Sequence, residues 1–84
     1  MKVLHIIRRE ADPMVQEIID QYRTKCDVSI LLIQDGVLAK LENRGEIYAS
    51  INDVRARGVD VSYKLVDYPA ICEMVIGHDK VIVW

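Results

Sequence analysis

The stretch "ILLIQDGVLAKL", residues 30–41, runs four aliphatic residues into Gln34 and Asp35-Gly36 and then becomes apolar again. Asp-Gly between two apolar runs is typical of a β-hairpin, because both residues tolerate the positive φ of a type I′ turn. A hairpin strand with one wet face should alternate apolar and polar residues, whereas residues 30–33 are apolar without a break. Such runs are typical of parallel strands that are buried on both faces. Since residues 37–42 fit a short helix, we predict a strand, a tight turn and a helix rather than a hairpin.

The rest of the chain alternates between strand and helix patterns. Asp12-Pro13 and Asn52-Asp53 are predicted helix starts, and Gly58 and Gly77 are predicted helix ends. The predicted strands are residues 3–7, 28–34, 46–51, 63–67 and 80–84, and the predicted helices are residues 13–24, 37–42, 54–58 and 69–77. This order predicts one α/β domain, residues 1–84, with a three-layer fold: a mostly parallel five-stranded sheet and short helices on both faces.

The predicted helices are too short to cover the predicted sheet. Five strands span roughly 24 Å, and each face of such a sheet needs at least two helices of about 10 Å diameter. Only two of the predicted helices are long enough to cover the sheet well. We therefore expect part of a face or edge to be covered by other subunits, either related chains or further copies of this one.

Composition and charge exclude several classes of protein. The net charge of -2 provides no field to attract a phosphate backbone, so we expect no direct nucleic-acid partner. No apolar run approaches the ~20 residues that span a bilayer, and the amino terminus lacks the layout of a signal peptide, so we expect a cytoplasmic protein without a membrane partner. The two cysteines have no neighbouring ligands at a metal-binding spacing. We accordingly expect no metal site and no cofactor.

The chain contains two cysteines, whose thiols are candidate nucleophiles. Cys26 follows Arg23 and Lys25 in a polar loop, where positive charge favours the thiolate. That loop leads into the amino end of a strand, however, whereas sites in parallel sheets usually lie at the carboxyl ends. Cys72 falls on the apolar stripe of the last helix, formed by Ile71, Cys72, Val75 and Ile76, and is predicted to be buried.

Four segments lie where the predicted strands end: Arg8-Arg9, Asp35-Gly36, Asn52-Asp53 and Asp67-Tyr68. This carboxyl edge is where we expect a partner or ligand to dock. The alternative is that the aspartates only cap helices and shape a turn. A flavodoxin-like nucleotide binder is a third choice, because no glycine-rich phosphate loop follows the first strand.

Several motifs, taken in order, make the chain similar to the TusB/DsrH family, the small subunits of DsrEFH-like sulfur-relay complexes. The matching residues are Leu4-His5, "LLIQDGVLAKL" at 31–41, Asp53 with "ARG" at 56–58, Asp67-Tyr68 and the closing "VIVW" at 81–84. They span nearly the whole chain. The loop between Gly36 and Tyr48 is several residues shorter than is usual in the family.

The resemblance implies assembly with TusC- and TusD-type (DsrF- and DsrE-type) subunits and contact with the sulfur-carrier proteins of the relay. In the Tus branch the complex passes persulfide sulfur toward 2-thiolation of the tRNA wobble uridine, and in the Dsr branch it serves sulfur oxidation. The residues that the motifs single out for partner binding are His5, Asp35, Gly36, Asp53, Arg57, Tyr68 and Trp84.

The resemblance also implies that this subunit performs no catalysis, since the persulfide cysteine of the Tus complex belongs to the TusD-type subunit. Asp20 stands where the DsrH branch has a cysteine on the first helix, and neither Cys26 nor Cys72 falls on a family cysteine. The alternatives are a stand-alone persulfide carrier that uses Cys26, and a subunit of a sulfur-oxidation complex.

Overall fold

The computed structural model describes residues 1–10, 13–41 and 46–84 of the chain. Within these residues, five strands alternate with three α-helices and one 3-10 helix. The strands are β1 (Lys2–Ile7), β2 (Asp27–Leu32), β3 (Glu46–Ser50), β4 (Lys64–Val66) and β5 (Lys80–Val83). The helices are α1 (Pro13–Arg23), the 3-10 helix (Gln34–Leu38), α2 (Ile51–Arg57) and α3 (Tyr68–Gly77). The predicted α/β fold is confirmed.

The five strands form one sheet in the order β4-β3-β2-β1-β5, and every pair of neighbours is parallel. The register places Leu31 of β2 beside both Ile6 of β1 and Tyr48 of β3. Since β2 and β3 are parallel, the hairpin alternative at Asp35-Gly36 is wrong. The chain instead crosses over between these strands, as predicted.

The strand order explains why the helices cover the sheet unequally. The chain moves in one direction from β1 through β2 and β3 to β4, and then returns across the whole sheet to β5. Because parallel crossovers are right-handed, the first three connections lie on one face and the last on the other. The first face packs against α1, the 3-10 helix and α2, whereas the second face packs against α3 alone.

Each face has its own hydrophobic cluster. The buried residues of the first face are Ile7, Ile19, Ile30, Leu32, Val37, Ile47, Ala49 and Val54. Those of the second face are Leu4, Ile6, Leu31 and Val66, against which Ala70, Ile71 and Met74 of α3 pack. β1 and β2 contribute to both clusters, which confirms that the unbroken aliphatic runs belong to strands buried on both sides. Among the described residues, no helix is both long and apolar enough to cross a membrane.

Three predicted boundaries are wrong. β2 ends at Leu32 because Gln34 has a positive φ of 51° and begins the 3-10 helix, which replaces the predicted helix 37–42. Asn52-Asp53 does not start α2, because the helix begins at Ile51 with Ser50 at the N-cap position. The predicted end of α2 is confirmed, since Gly58 adopts the left-handed conformation with φ 62°. The predicted cap Asp12 and residue 42 lie outside the described residues.

Asp67 caps α3, the helix that alone covers the second face. Its carboxylate Oδ1 accepts a hydrogen bond of 3.0 Å from the amide of Ala70. We expect Asp67→Ala to lower the free energy of unfolding by about 1 kcal/mol, because an amide of the first turn loses its acceptor. The urea midpoint of unfolding measures this change. Asp60→Ala, in an exposed loop, is the matched control, and an equal loss in both variants would contradict the capping role.

Candidate functional site

Four residues singled out by the sequence converge at the carboxyl edge of the sheet. The Arg57 Nε donates a hydrogen bond of 2.9 Å to Asp35 Oδ1, and its Nη1 lies 3.4 Å from Asp53 Oδ1. Gly36 is buried beside Asp35 in the 3-10 helix. Arg57 thus connects α2 to the 3-10 helix and forms ion pairs with two carboxylates. Of these three side chains, only Asp35 is largely exposed. The aspartates contact the protein's own arginine, which supports a structural role at this edge.

Gly36 lies where two backbone segments approach closely. A Cβ atom at this position would fall 2.0 Å from the carbonyl oxygen of Ile7 and 2.7 Å from its carbonyl carbon. The same carbonyl oxygen accepts a hydrogen bond of 3.0 Å from the amide of Ile33. Only glycine lets the 3-10 helix pass this close to the end of β1. The Asp-Gly pair therefore marks a packing contact between β1 and the crossover.

His5 and Trp84 form a hydrogen-bonded pair on the first face, in which His5 is buried and Trp84 is half-buried. His5 is 0% exposed, and the indole Nε1 of Trp84 donates a hydrogen bond of 3.0 Å to His5 Nδ1. An indole N–H only donates, so Nδ1 holds a lone pair and the neutral ring carries its proton on Nε2. Burial, together with the positive charges of Arg23 and Lys80, lowers the pKa of His5 to about 4. His5 is thus a neutral core residue that fixes the position of Trp84.

Tyr22 completes this aromatic group. Its ring meets the imidazole of His5 edge-on at 5.0 Å, and the Lys80 Nζ lies 5.8 Å from the centre of the Tyr22 ring. The Nε2 of His5 has no hydrogen-bond partner among the described residues. His5 and Trp84, which the sequence singled out at opposite ends of the chain, therefore contact each other, and the His5 ring is buried rather than exposed to a partner.

The outward side of α3 is apolar, and this corrects the prediction for Cys72. The residues that face the sheet are Ala70, Ile71 and Met74, so Cys72 is exposed rather than buried. Tyr68 is 72% exposed and Ile76 is 83% exposed, and Val75 and Val83 of β5 are also exposed. We call Tyr68, Cys72, Val75, Ile76 and Val83 the α3 apolar surface. Exposed apolar surfaces are common at sites of protein–protein contact, so this surface is a candidate site of that kind.

Cys26 lies at the opposite end of the sheet, as predicted. It directly precedes β2, is half-buried, and its amide donates to the carbonyl oxygen of Tyr22 at 2.9 Å. Cys26 lines an open pocket of about 470 Å³, together with Ile18, Gln21, Tyr22, Thr24 and Lys25. Both cysteines are free thiols.

The second face also contains a groove, lined by both charged and apolar residues, that sequence reasoning missed. The groove has a volume of about 910 Å³ and lies between one flank of α3 and the amino-terminal halves of β2, β3 and β4. On its floor, the Ser29 hydroxyl lies 3.3 Å from Glu46 Oε2, and the Lys64 Nζ lies 6.0 Å from the centre of the Tyr48 ring. Burial and, next, the neighbouring Glu46 carboxylate raise the pKa of Tyr48. Glu46 and Tyr48 are polar residues at alternate positions of β3, and this pattern was the sequence signal that one side of the strand meets water.

This groove refines the expectation of a bare sheet. The uncovered corner of the second face is lined by both charged and apolar residues, and further exposed apolar residues lie on α3 and β5. No group of three ligating side chains within residues 1–10, 13–41 and 46–84 could hold a metal ion.

No protein-family model and no curated protein matches this chain.

Proposed function

We propose that this chain is a non-catalytic subunit of a sulfur-relay complex of the TusBCD/DsrEFH type, which supports persulfide transfer for 2-thiolation of the tRNA wobble uridine. The observation that carries the proposal is the α3 apolar surface. Each face of the sheet already has its own buried cluster. The side chains of the α3 apolar surface are removed from water when a second protein covers them, which stabilises the assembly.

The placement of the two thiols supports an accessory role. A persulfide carrier needs an accessible thiolate beside positive charge, because the thiolate attacks the incoming sulfur. Cys26 is half-buried at the amino end of the sheet, and Cys72 lies within the surface that a partner would cover. Neither thiol belongs to the group of Asp35, Asp53 and Arg57 at the carboxyl edge, and on this proposal a partner supplies the reactive cysteine.

The proposal is tested by assembly. Coexpression with TusC- and TusD-type chains from the same source should give a complex that stays intact in gel filtration, and omitting this chain should abolish sulfur transfer from a persulfide donor to the partner complex. A chain that stays monomeric beside both partners would overturn the proposal.

A second candidate function is a stand-alone persulfide carrier that uses Cys26, which is favoured by the pocket beside this thiol and Lys25. Incubation with a persulfide donor and intact-mass measurement separates the two functions. A carrier gains about 32 Da per sulfur atom, and Cys26→Ser loses the gain while Cys72→Ser keeps it. For the accessory subunit we expect no Cys26-dependent adduct.

A further inference from the structure

The groove on the second face has the size of a site for a small organic molecule. Its volume of about 910 Å³ lies within the roughly 300–1,000 Å³ that is typical of ligand pockets. α3 forms one wall, and the floor is formed by side chains of β1 to β4 that project to the same face as Leu4 and Leu31. These floor residues are Lys2, Asp27, Ser29, Glu46, Tyr48, Lys64 and Val66.

The lining of the groove carries a negative net charge. His78 also lines the groove, and its Nδ1 lies 2.6 Å from the carbonyl oxygen of Met74. With His78 neutral, the two ammonium groups offset only half of the four carboxylates. The charged residues are Lys2 and Lys64 on one side and Asp27, Glu46, Asp67 and Glu73 on the other.

Four of these charges have neighbours within the protein. Lys2 lies in register beside Asp27, so their opposite charges adjoin. The Lys64 Nζ lies 6.0 Å from the centre of the Tyr48 ring. Asp67 caps α3 through the amide of Ala70. The carboxylates that remain lie on β3 and on the outer part of α3.

Glu46 on the floor and Glu73 on the wall are these remaining carboxylates. Neither forms an ion pair with another described residue. Ser29 is 6% exposed, and its hydroxyl donates a hydrogen bond of 3.3 Å to Glu46 Oε2, which restrains that carboxylate. A carboxylate restrained in this way on the floor of a groove is complementary to a positively charged donor.

The rest of the lining is mainly apolar. Val66 is buried, and Ala70 and Met74 of α3 pack against the same cluster. Together with the Tyr48 ring, such side chains favour a flat apolar body, which is removed from water when it binds. The apolar residues of the lining are Val28, Ile51, Leu65, Val66, Ala70 and Met74.

Three other classes of ligand fit this groove less well. An anion would meet the negative net charge. A metal ion would need three ligating side chains, and no such group occurs in the part of the chain that the structure describes. A protein segment is disfavoured because the centres of protein–protein contacts are depleted of charged residues, whereas charged residues occupy the floor of the groove.

We propose that the groove binds a small organic cation, in which a primary amine pairs with Glu46 and Glu73 and a flat apolar body lies against Met74 and the Tyr48 ring. The ammonium group donates hydrogen bonds to the two carboxylates and supplies the positive charge that the groove lacks. This inference assigns a separate site and does not depend on the proposed function.

Tryptamine is a suitable probe, because its amine is charged at neutral pH and its indole ring is flat and apolar. In NMR of the isotope-labelled chain, we expect saturable amide shifts at residues 27–29, 46–48, 64–66 and 73–78, with a dissociation constant on the order of 1 mM. Tryptophol and indole-3-acetate carry the same ring with a neutral and a negative group, and should bind about tenfold more weakly or not at all. Ethylamine, which lacks the ring, should also bind about tenfold more weakly.

Glu46→Gln and Glu73→Gln test the two carboxylates at constant side-chain shape. Each should weaken tryptamine binding by about threefold, and the double variant by about tenfold, because exposed ion pairs contribute modestly to affinity. Glu17→Gln, at an exposed carboxylate of α1 on the other face, is the matched control and should leave the affinity unchanged. Raising the salt concentration from about 0.02 M to about 0.5 M should weaken binding to the wild type more than to the double variant.

Several results would overturn the proposal. These are equal binding of tryptamine and indole-3-acetate, shifts confined to residues outside the groove, and no saturable shift up to about 10 mM tryptamine. Unchanged affinity in the double variant would show that the ring alone is bound, and would overturn it as well. None of these measurements involves TusC- or TusD-type chains, so a failure here leaves the proposed function standing.

Discussion

Replacing Gly36 with alanine should lower the free energy of unfolding by about 3 kcal/mol or more. The added methyl group would fall 2.0 Å from the carbonyl oxygen of Ile7, which is backbone and cannot rotate away. Either the 3-10 helix or the end of β1 has to move, and overpacking that shifts the backbone typically costs about 1–3 kcal/mol and occasionally more. Movement at this point would also weaken the bond between the Ile33 amide and the Ile7 carbonyl oxygen. Urea unfolding at constant m-value measures the loss.

The other described glycines provide matched controls for Gly36→Ala. Gly77→Ala adds a methyl group with no atom within 4 Å, in the last turn of α3, and should be neutral or stabilise by up to about 1 kcal/mol. Gly58→Ala is also free of contacts, but its φ of 62° strains any residue with a Cβ, so about 1 kcal/mol should be lost. If Gly36→Ala resembled Gly77→Ala, the close approach to β1 would be refuted.

Acid should destabilise the protein through His5. Its folded-state pKa of about 4 lies below the ordinary value of 6.5, so the unfolded chain binds a proton between these values while the folded protein does not. The contribution of His5 to the free energy of unfolding is therefore fully present above pH 6.5, and it is lost as the pH drops toward 4. The slope reaches at most about 1.4 kcal/mol per pH unit, and the total loss from His5 is about 3 kcal/mol.

Two variants separate this titration from other acid effects. His5→Phe removes the titrating group, so its stability should fall less steeply than that of the wild type between pH 6.5 and 4, whatever its stability at neutral pH. Trp84→Phe removes the indole donor and should cost about 1 kcal/mol, but it keeps the slope, because burial rather than the indole bond dominates the pKa shift. An identical slope in His5→Phe and the wild type would show that other groups cause the acid sensitivity. The pKa of His5 can also be read directly from its ring signals in NMR.

The central part of the fold could be predicted from local patterns. Unbroken aliphatic residues at 30–33 are compatible with a parallel strand and incompatible with a wet hairpin strand, and this one distinction led to the crossover and the α/β class. The alternation of strand and helix patterns predicted the remaining elements. The ends of elements were less predictable, because a cap depends on where the backbone first turns: Ser50 occupies the N-cap position of α2, and Asp53 bonds Arg57 instead.

The orientation of α3 could not be read from its sequence. Its residues are apolar on nearly all sides, so the stripe of Ile71, Cys72, Val75 and Ile76 and the stripe of Ala70, Ile71 and Met74 were equally plausible inner faces. The direction in which the chain enters from β4 decides between them, and this is a tertiary property. The need for glycine at position 36 could not be read from the sequence either, because Ile7, which it approaches closely, is distant in the chain.

The pairing of β1 with β5 has a consequence for synthesis on the ribosome. β1 is made first, yet one of its two edges is completed only when residues 80–83 arrive, and the Trp84 indole reaches His5 across 79 positions of the chain. Until then the nascent chain exposes one unpaired edge of β1 and two apolar sides of α3. Unpaired strand edges and exposed apolar surface promote aggregation and chaperone binding. β5 is therefore the last of the five strands to join the sheet, and a partner present before that moment would meet a chain whose sheet is still open.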